Sequence, residues 1–435
     1  MSVRFGLPFQ YNSPVNAIFE FIVMPVFFLR TLFRGFFLTL PVVLTGCVSA
    51  PISVIDTKLT LLSPIDAQTL PIKNLISYDL YVDGATVHAL FAAQTETADK
   101  PYIGYLRSSD GGEHWTQPLQ IGQHAASALQ SAAGNELQIA ASGNTLLAIW
   151  QVKGEIPGMG PLQALYSMDA GQTWVPGSNP TGSDIDQSHP ELIADQQGRF
   201  HLMWLDDRDE NGYQGARYAA SDDAGQHWLN SQTMDDSSCS CCWNRLSADA
   251  NGDVFALYRD MEPRDMALAE SDDAGQSWNK ISTVGAFNWQ FDGCPHNGGA
   301  LTGVGGATLH SLVWTGAAQQ AGLYYLRSQD HGKTWSQPQT MGGNAQAFHS
   351  DIAQVGERHL LAIWDARGAD GSNVLVTESL DAGNHWSPAH QISTPGSAAT
   401  FPRLLATQNG FLAVWYEQQP GQPKRWLSAV FKNNN

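Results

Sequence analysis

Four cysteines fall in two short stretches of this chain, Cys239-Ser240-Cys241-Cys242-Trp243-Asn244-Arg245 and Gly293-Cys294-Pro295-His296-Asn297-Gly298. Between them stand Tyr258-Arg259-Asp260 and Arg264-Asp265. Three chemistries are open to such a set. In an oxidising compartment an even, clustered group of thiols points first to disulfides, with Cys294 joined to Cys239, Cys241 or Cys242; the purified protein would then carry neither free thiol nor metal. Thiolates joined by His296, and by His189 or His349, would instead form a soft-metal site suited to copper(I) or zinc. The spacing Cys-x-Cys-Cys departs from the two-residue spacing usual in zinc sites. A redox or nucleophilic thiol is the third chemistry.

The elements that must position these residues announce themselves by repetition. The pattern Ser-x-Asp-x-Gly-x-(His/Thr/Ser)-Trp begins at Ser108, Ser167, Ser221, Ser271, Ser328 and Ser379, at intervals of 50 to 59 residues. It reads as a tight turn between two strands: Asp accepts backbone N–H bonds, Gly supplies the geometry and Trp covers the next strand. An aromatic residue ends an apolar strand at Phe91, Trp150, Trp204, Tyr258, Trp314, Trp364 and Trp415, which counts seven units. The pattern resembles the Asp box, or BNR repeat, of sialidase-type propellers. In that family the box is structural and lies opposite the active face, so the resemblance makes Asp110, Asp169, Asp223, Asp273, Asp330 and Asp381 turn braces. The expected fold is all-β: a seven-bladed propeller of four-stranded blades, with a six-bladed sialidase-type ring as the alternative. The seventh unit offers three strands, and the run 53–61 is expected to supply the fourth and close the ring.

With the boxes at the bottom, the loops from each outer strand to the next inner strand, and those joining middle strands, form the top. The cysteine stretches and Tyr258-Arg259-Asp260 fall in these loops, where function is usually seated. The series from Cys239 to Gly298 looks like a bacterial branch of Asp-box proteins. Sialidases bind the sugar carboxylate with three Arg, attack with Tyr and protonate with Asp. By that resemblance Arg245 and Arg403 would be two of a triad, with Arg208, Arg259 or Arg367 as third; Tyr258 would be the nucleophile, and Asp260, Asp207, Asp209 or Asp292 would be acids. The same Arg–Asp neighbours are equally ion pairs that brace loops. The family's first Arg lies on the first inner strand, yet no Arg occurs between Cys47 and Tyr105. That departure favours a binding propeller, whose top face takes a glycan, a metal or a protein, over a sialidase-like exo-glycosidase acting on extracellular glycans.

Arg30 and Arg34 precede an apolar run ending in Leu44-Thr45-Gly46-Cys47, which resembles the bacterial lipobox. Residues 1–46 are therefore expected to be a secretory signal, with the true start at Met24 an option, and Cys47 the lipidated residue. A short tether at 47–52 would lead into a single propeller over 53–432. The absence of an acidic residue after Cys47 leans toward the outer membrane, with palmitate-type acylation as the anchor. The chain of 435 residues carries 23 Lys and Arg against 41 Asp and Glu, a net charge of −18, which excludes a nucleic-acid partner. Its 14 Trp and 15% charged residues exclude a disordered chain.

Overall fold

The computed structural model describes residues 72–433, apart from the short segments 96–99, 123–128, 156–157, 182–185, 211–212, 304–305, 343–345 and residue 370, and without the side chains of 207–210 and 213. The signal sequence, Cys47 and the closing run 53–61 all lie outside the described residues. Among the described residues no helix is long and apolar enough to cross a membrane.

Seven antiparallel sheets follow one another along the chain, six of four strands and one of three. Their inner strands are Ile72–Asp83, Gln138–Ser142, Gln187–Ala194, Arg245–Ala248, Gly299–Thr302, Ala347–Val355 and Ala398–Thr407. Each inner strand packs against the next, and the seventh packs against the first, so the blades form a ring about one axis. This is the seven-bladed propeller that the aromatic count implied, rather than the six-bladed ring. The seventh blade shows three strands, Ala398–Thr407, Gly410–Gln418 and Arg425–Lys432. The middle strands of the blades, such as Thr145–Gln151 and Val254–Arg259, are buried on both faces, as sheets stacked between neighbouring sheets require, whereas outer strands such as Val175–Pro176 and His390–Gln391 are exposed. The core between the first and seventh blades is typical: Leu75, Tyr78 and Phe91 meet Leu412, Val414 and Trp426.

The boxes are the turns between third and fourth strands. In the second blade, Gly171 N–H donates to Ser167 Oγ at 2.9 Å, and Ser167 Oγ–H donates to Asp169 Oδ1 at 2.8 Å. Asp169 also accepts from the Thr173 N–H and hydroxyl. Each box also latches onto a neighbouring blade. Arg107, Arg199 and Arg327 donate to the carbonyls of Ala170, Ala274 and Ala382 in the following box. Gly275 shows why the box requires glycine: its φ is +87°, and a Cβ there would overlap the hydroxyl of Tyr218. That hydroxyl is fixed in turn by the buried His201 Nδ1 at 2.6 Å.

The box carboxylates are held in their ionised form. Hydrogen bonds from Thr173 and Thr334 bring Asp169 and Asp330 down to about 2. In Asp110 burial is the largest single influence and raises the carboxyl, but the bonds from His114 and Ser108 together outweigh it, with the same result. A carboxyl whose folded pKa lies below its unfolded value stabilises the fold above the unfolded value and loses that contribution as pH falls through the folded one. The thermal midpoint is therefore expected to fall between about pH 4 and pH 2. Differential scanning calorimetry checks this, and a midpoint flat across that window would remove the bracing role.

Candidate functional site

In a four-stranded antiparallel blade, the start of the inner strand, the loop between middle strands and the end of the outer strand share one end. The box turn lies at the other. The cysteine loops therefore stand on the rim opposite the boxes. Cys239–Cys242 link Gln232–Asp235, the outer strand of the third blade, to Arg245–Ala248. Cys294–His296 link Asn279–Val284, the outer strand of the fourth, to Gly299–Thr302.

The structure brings these stretches together. Cys239 Sγ lies 3.6 Å from Cys241 Sγ and 3.7 Å from Cys242 Sγ. A disulfide bond is about 2.05 Å long, and all four cysteines are free. The donor atoms of Cys239, Cys241 and Cys242 lie within 4.8 Å of one another, and so do those of Cys241, Cys294 and His296. The first three residues are buried, whereas Cys294 and His296 are exposed. His189, from the head of the third blade's inner strand, stands beside Cys239 and His296. Burial lowers its imidazole to about 4, with Cys239 acting in the opposite sense, so the ring is neutral at neutral pH. Its Nδ1 is buried without a hydrogen-bond partner. The hydrogen bonds that the other two thiols donate hold the Cys239 thiol well below the usual range.

The remaining motif residues hold these loops in place. Arg259, fully buried, donates to the carbonyls of Asn297, Arg264 and Trp314. Its own carbonyl accepts from Cys239 N–H at 2.8 Å. Arg264 donates to the Phe291 carbonyl, and Asp265 accepts from the N–H groups of Asn288 and Trp289. Gly298 runs so close under the Trp243 carbonyl that a Cβ would overlap it. His189, Asn288 and His296 adopt φ of 50°, 54° and 49°, the left-handed region in which side chains other than glycine are strained. One guanidinium thus pins the Cys294 loop against the Cys239 loop through carbonyl oxygens.

This placement sets the Tyr258 stretch apart from the axial arginines. Tyr258, Arg259 and Asp260 do not line the axial cavity. Tyr258 donates to Asp235 at 2.8 Å, and burial together with that carboxylate raises its pKa far above the ordinary value. Asp260 pairs with Lys280. Asp207 and Asp209 lie among the side chains outside the described set; Asp292 is exposed, on the loop that carries Cys294. His349 departs from the thiol cluster as well: its Nδ1 meets Asp365 Oδ2 at 2.6 Å, and its ring stacks on Phe401.

Arg245 and Arg403 do meet, across a cavity of about 240 Å³ on the propeller axis. Each is already engaged. Arg245 lies 3.3 Å from Glu191 and 3.4 Å from Asp351; Arg403 lies 3.2 Å from Asp79 and 3.5 Å from Asp351. Burial opposes the Arg403 charge, but Asp79, Asp351, Glu191 and Glu136 outweigh it and hold its pKa well above the ordinary value. Burial lifts the Asp79 carboxyl to about 7 despite Arg403, and raises Glu136 as well. Four acids to two guanidinia leave no surplus positive charge for a carboxylated sugar. Sequence reasoning missed Asp79, Glu136 and Glu191 as a group, because they share only a position beside the axial arginines, Asp79 and Glu191 on inner strands and Glu136 just before one.

The pattern described as the BNR repeat-like domain matches residues 77–291. No curated protein matches the chain. Among solved structures, an ulvan lyase, a polysaccharide lyase bound to GlcA(1-4)Rha3S, is 10% identical with a TM-score of 0.55, over 84% of this chain and 95% of that one. A leech intramolecular trans-sialidase is 14% identical with a TM-score of 0.44, over 85% and 69%. A Dyadobacter fermentans protein of unknown function is 15% identical with a TM-score of 0.44, over 86% and 99%. At these identities the likeness is one of fold.

The engaged guanidinia set a test. Arg245→Ala is expected to cost about 3 kcal/mol or more of stability, because it leaves Glu191 buried without its partner. Neither this variant nor the wild type is expected to turn over a fluorogenic sialoside. Denaturant titration and the fluorogenic assay check both halves, and Arg245-dependent turnover would restore the glycosidase reading.

Proposed function

We propose that this BNR-type propeller is an exported metal-binding protein of the bacterial cell envelope. It is anchored by lipid on Cys47, leaning to the outer membrane, and holds a soft ion, copper or zinc, on the face opposite its boxes. One observation carries the reading: four thiols and two imidazoles from three separate loops converge at one rim. The loops meet because Arg259, Arg264, Asp265 and Gly298 fix them against one another, so the motif residues that surround the cysteines serve the cluster. Soft thiolates select such ions over magnesium or calcium.

A sialidase-type exo-glycosidase is the weaker reading. The ulvan lyase resembles this chain in fold alone, and the axial Arg pair is already neutralised by carboxylates. The aromatic mouth formed by Trp243, His349 and Phe401 above that pair suits a neutral ligand better than an acidic one.

Purification of the anchored chain from the envelope without reductant or chelator is expected to yield stoichiometric copper or zinc and reduced thiols. Cys239→Ser with Cys242→Ser is expected to lose the metal. Cys47→Ser is expected to leave the membrane fraction while still binding it. Elemental analysis with thiol titration decides the matter: metal-free protein with no titratable thiol would make the cluster a disulfide staple.

A further inference from the structure

We propose that the cluster is a two-ion site for copper(I), bridged by the Cys241 thiolate. An inner ion is held by Cys239, Cys241 and Cys242, and an outer ion by Cys241, Cys294 and His296. The inference rests on the metal-binding reading above and gives that site its ion, stoichiometry and order of filling.

The donor atoms divide in this way by distance. They form two triplets, each with all members within 4.8 Å of one another, and Cys241 is the residue common to both. Among the described residues no fourth Cys, His, Asp or Glu joins either triplet at that spacing. Structural zinc takes four ligands in a tetrahedron, so a three-donor set is a poor zinc site, whereas copper(I) is satisfied by two or three soft ligands. Ligands about 2.3 Å from a common centre stand about 3.8 to 4.0 Å apart in tetrahedral or trigonal geometry. The sulfur separations of 3.6 and 3.7 Å need only a small expansion to reach this.

Charge and burial agree with the division. Four thiolates and two copper(I) ions leave two negative charges, and Arg259 and Arg264 act on Cys242 and Cys239 from beside the cluster. Two guanidinia thus stand beside the cluster against the two negative charges that remain. Filling exchanges protons for metal and moves no electrons: each coordinating sulfur that still bears its proton releases it to solvent as the two copper(I) ions enter. The inner triplet is buried, and two members of the outer triplet are exposed. The outer position is therefore the port through which copper reaches the inner one, with Cys241 passing the ion between them. His189, strained and with a buried Nδ1 lacking a partner, stands beside Cys239 as a reserve donor during that passage.

The test is an anaerobic copper(I) titration of the full chain in detergent, competed with a chromogenic copper(I) chelator and counted by elemental analysis. Two equivalents are expected for the wild type. Cys294→Ser with His296→Ala is expected to retain one, and Cys241→Ser to weaken both by tenfold or more. Circular dichroism shows whether the variants are folded. X-ray absorption should give sulfur-dominated three-coordination with a copper neighbour at full loading. One equivalent in the wild type, undiminished in Cys294→Ser/His296→Ala, overturns the two-ion arrangement and leaves metal binding intact. A single tetrahedral zinc held in preference to copper overturns the choice of ion. Binding of neither metal by the reduced chain overturns the underlying reading itself.

Discussion

Parity governs this molecule. A blade of four antiparallel strands reverses direction three times, so two kinds of loop must emerge at one end and the box turn at the other. Once seven such blades share an axis, residues more than 50 positions apart become neighbours at a rim without any long-range signal in the sequence. His189 heads the inner strand of the third blade, the Cys239 and Cys294 stretches are the next two loops of that kind, and their meeting follows from connectivity. The boxes contribute from the far side. Three of the six tie their turns to an arginine of a neighbouring blade, and the others to Asn409, Ser178 and Ser282, which holds adjacent blades together beneath the loops above.

Loops without ladder hydrogen bonds need another source of rigidity, and here it comes from buried guanidinium. Arg259 reaches three carbonyls on three segments, a geometry that the planar fork with five donors permits and an ammonium does not. Around it, His189, Asn288 and His296 hold left-handed backbone, each at a cost of about 1 to 3 kcal/mol. Asp265, Asn135 and Asn244 offset part of it by bonding to the same stretches, to Asn288 N–H, His189 N–H and the His189 carbonyl respectively. The same left-handed backbone recurs in the box turns at Ala170, Ala224, Ala274, His331 and Ala382, where it serves the fold. At the thiol rim these three bonds hold the left-handed His189 and Asn288 in place.

Much of this was legible in the residue order. The box pattern gave the turns, and seven strand-ending aromatics gave the blade number. What misled was adjacency: Tyr258, Arg259 and Asp260 are neighbours in sequence, but side chains alternate along a strand. Tyr258 turns to Asp235 and Arg259 to the Cys294 loop, so three functional-looking residues serve two structural tasks. The axial carboxylates were hidden for the opposite reason. Asp79, Glu136, Glu191 and Asp351 belong to no motif, and their common depth depends on register, which a sequence does not display. The sulfur separations were likewise illegible, since the same Cys-x-Cys-Cys can close into a disulfide or cup an ion according to the loop's dihedral angles.

The two polar centres of the top face are joined by three residues. Trp243, Asn244 and Arg245 run from the last cysteine of the inner triplet to the axial ion network, each anchored separately: Trp243 Nε1 to the Gly299 carbonyl, Asn244 to the His189 carbonyl, Arg245 to Glu191. A change in the sulfur spacing must therefore be absorbed within the Cys239–Cys242 turn itself, because both the Arg259 carbonyl before it and the Trp243 indole after it are fixed. Such a turn resists large rearrangement on binding. It needs to yield only the few tenths of an ångström that separate contacting thiols from thiolates around an ion.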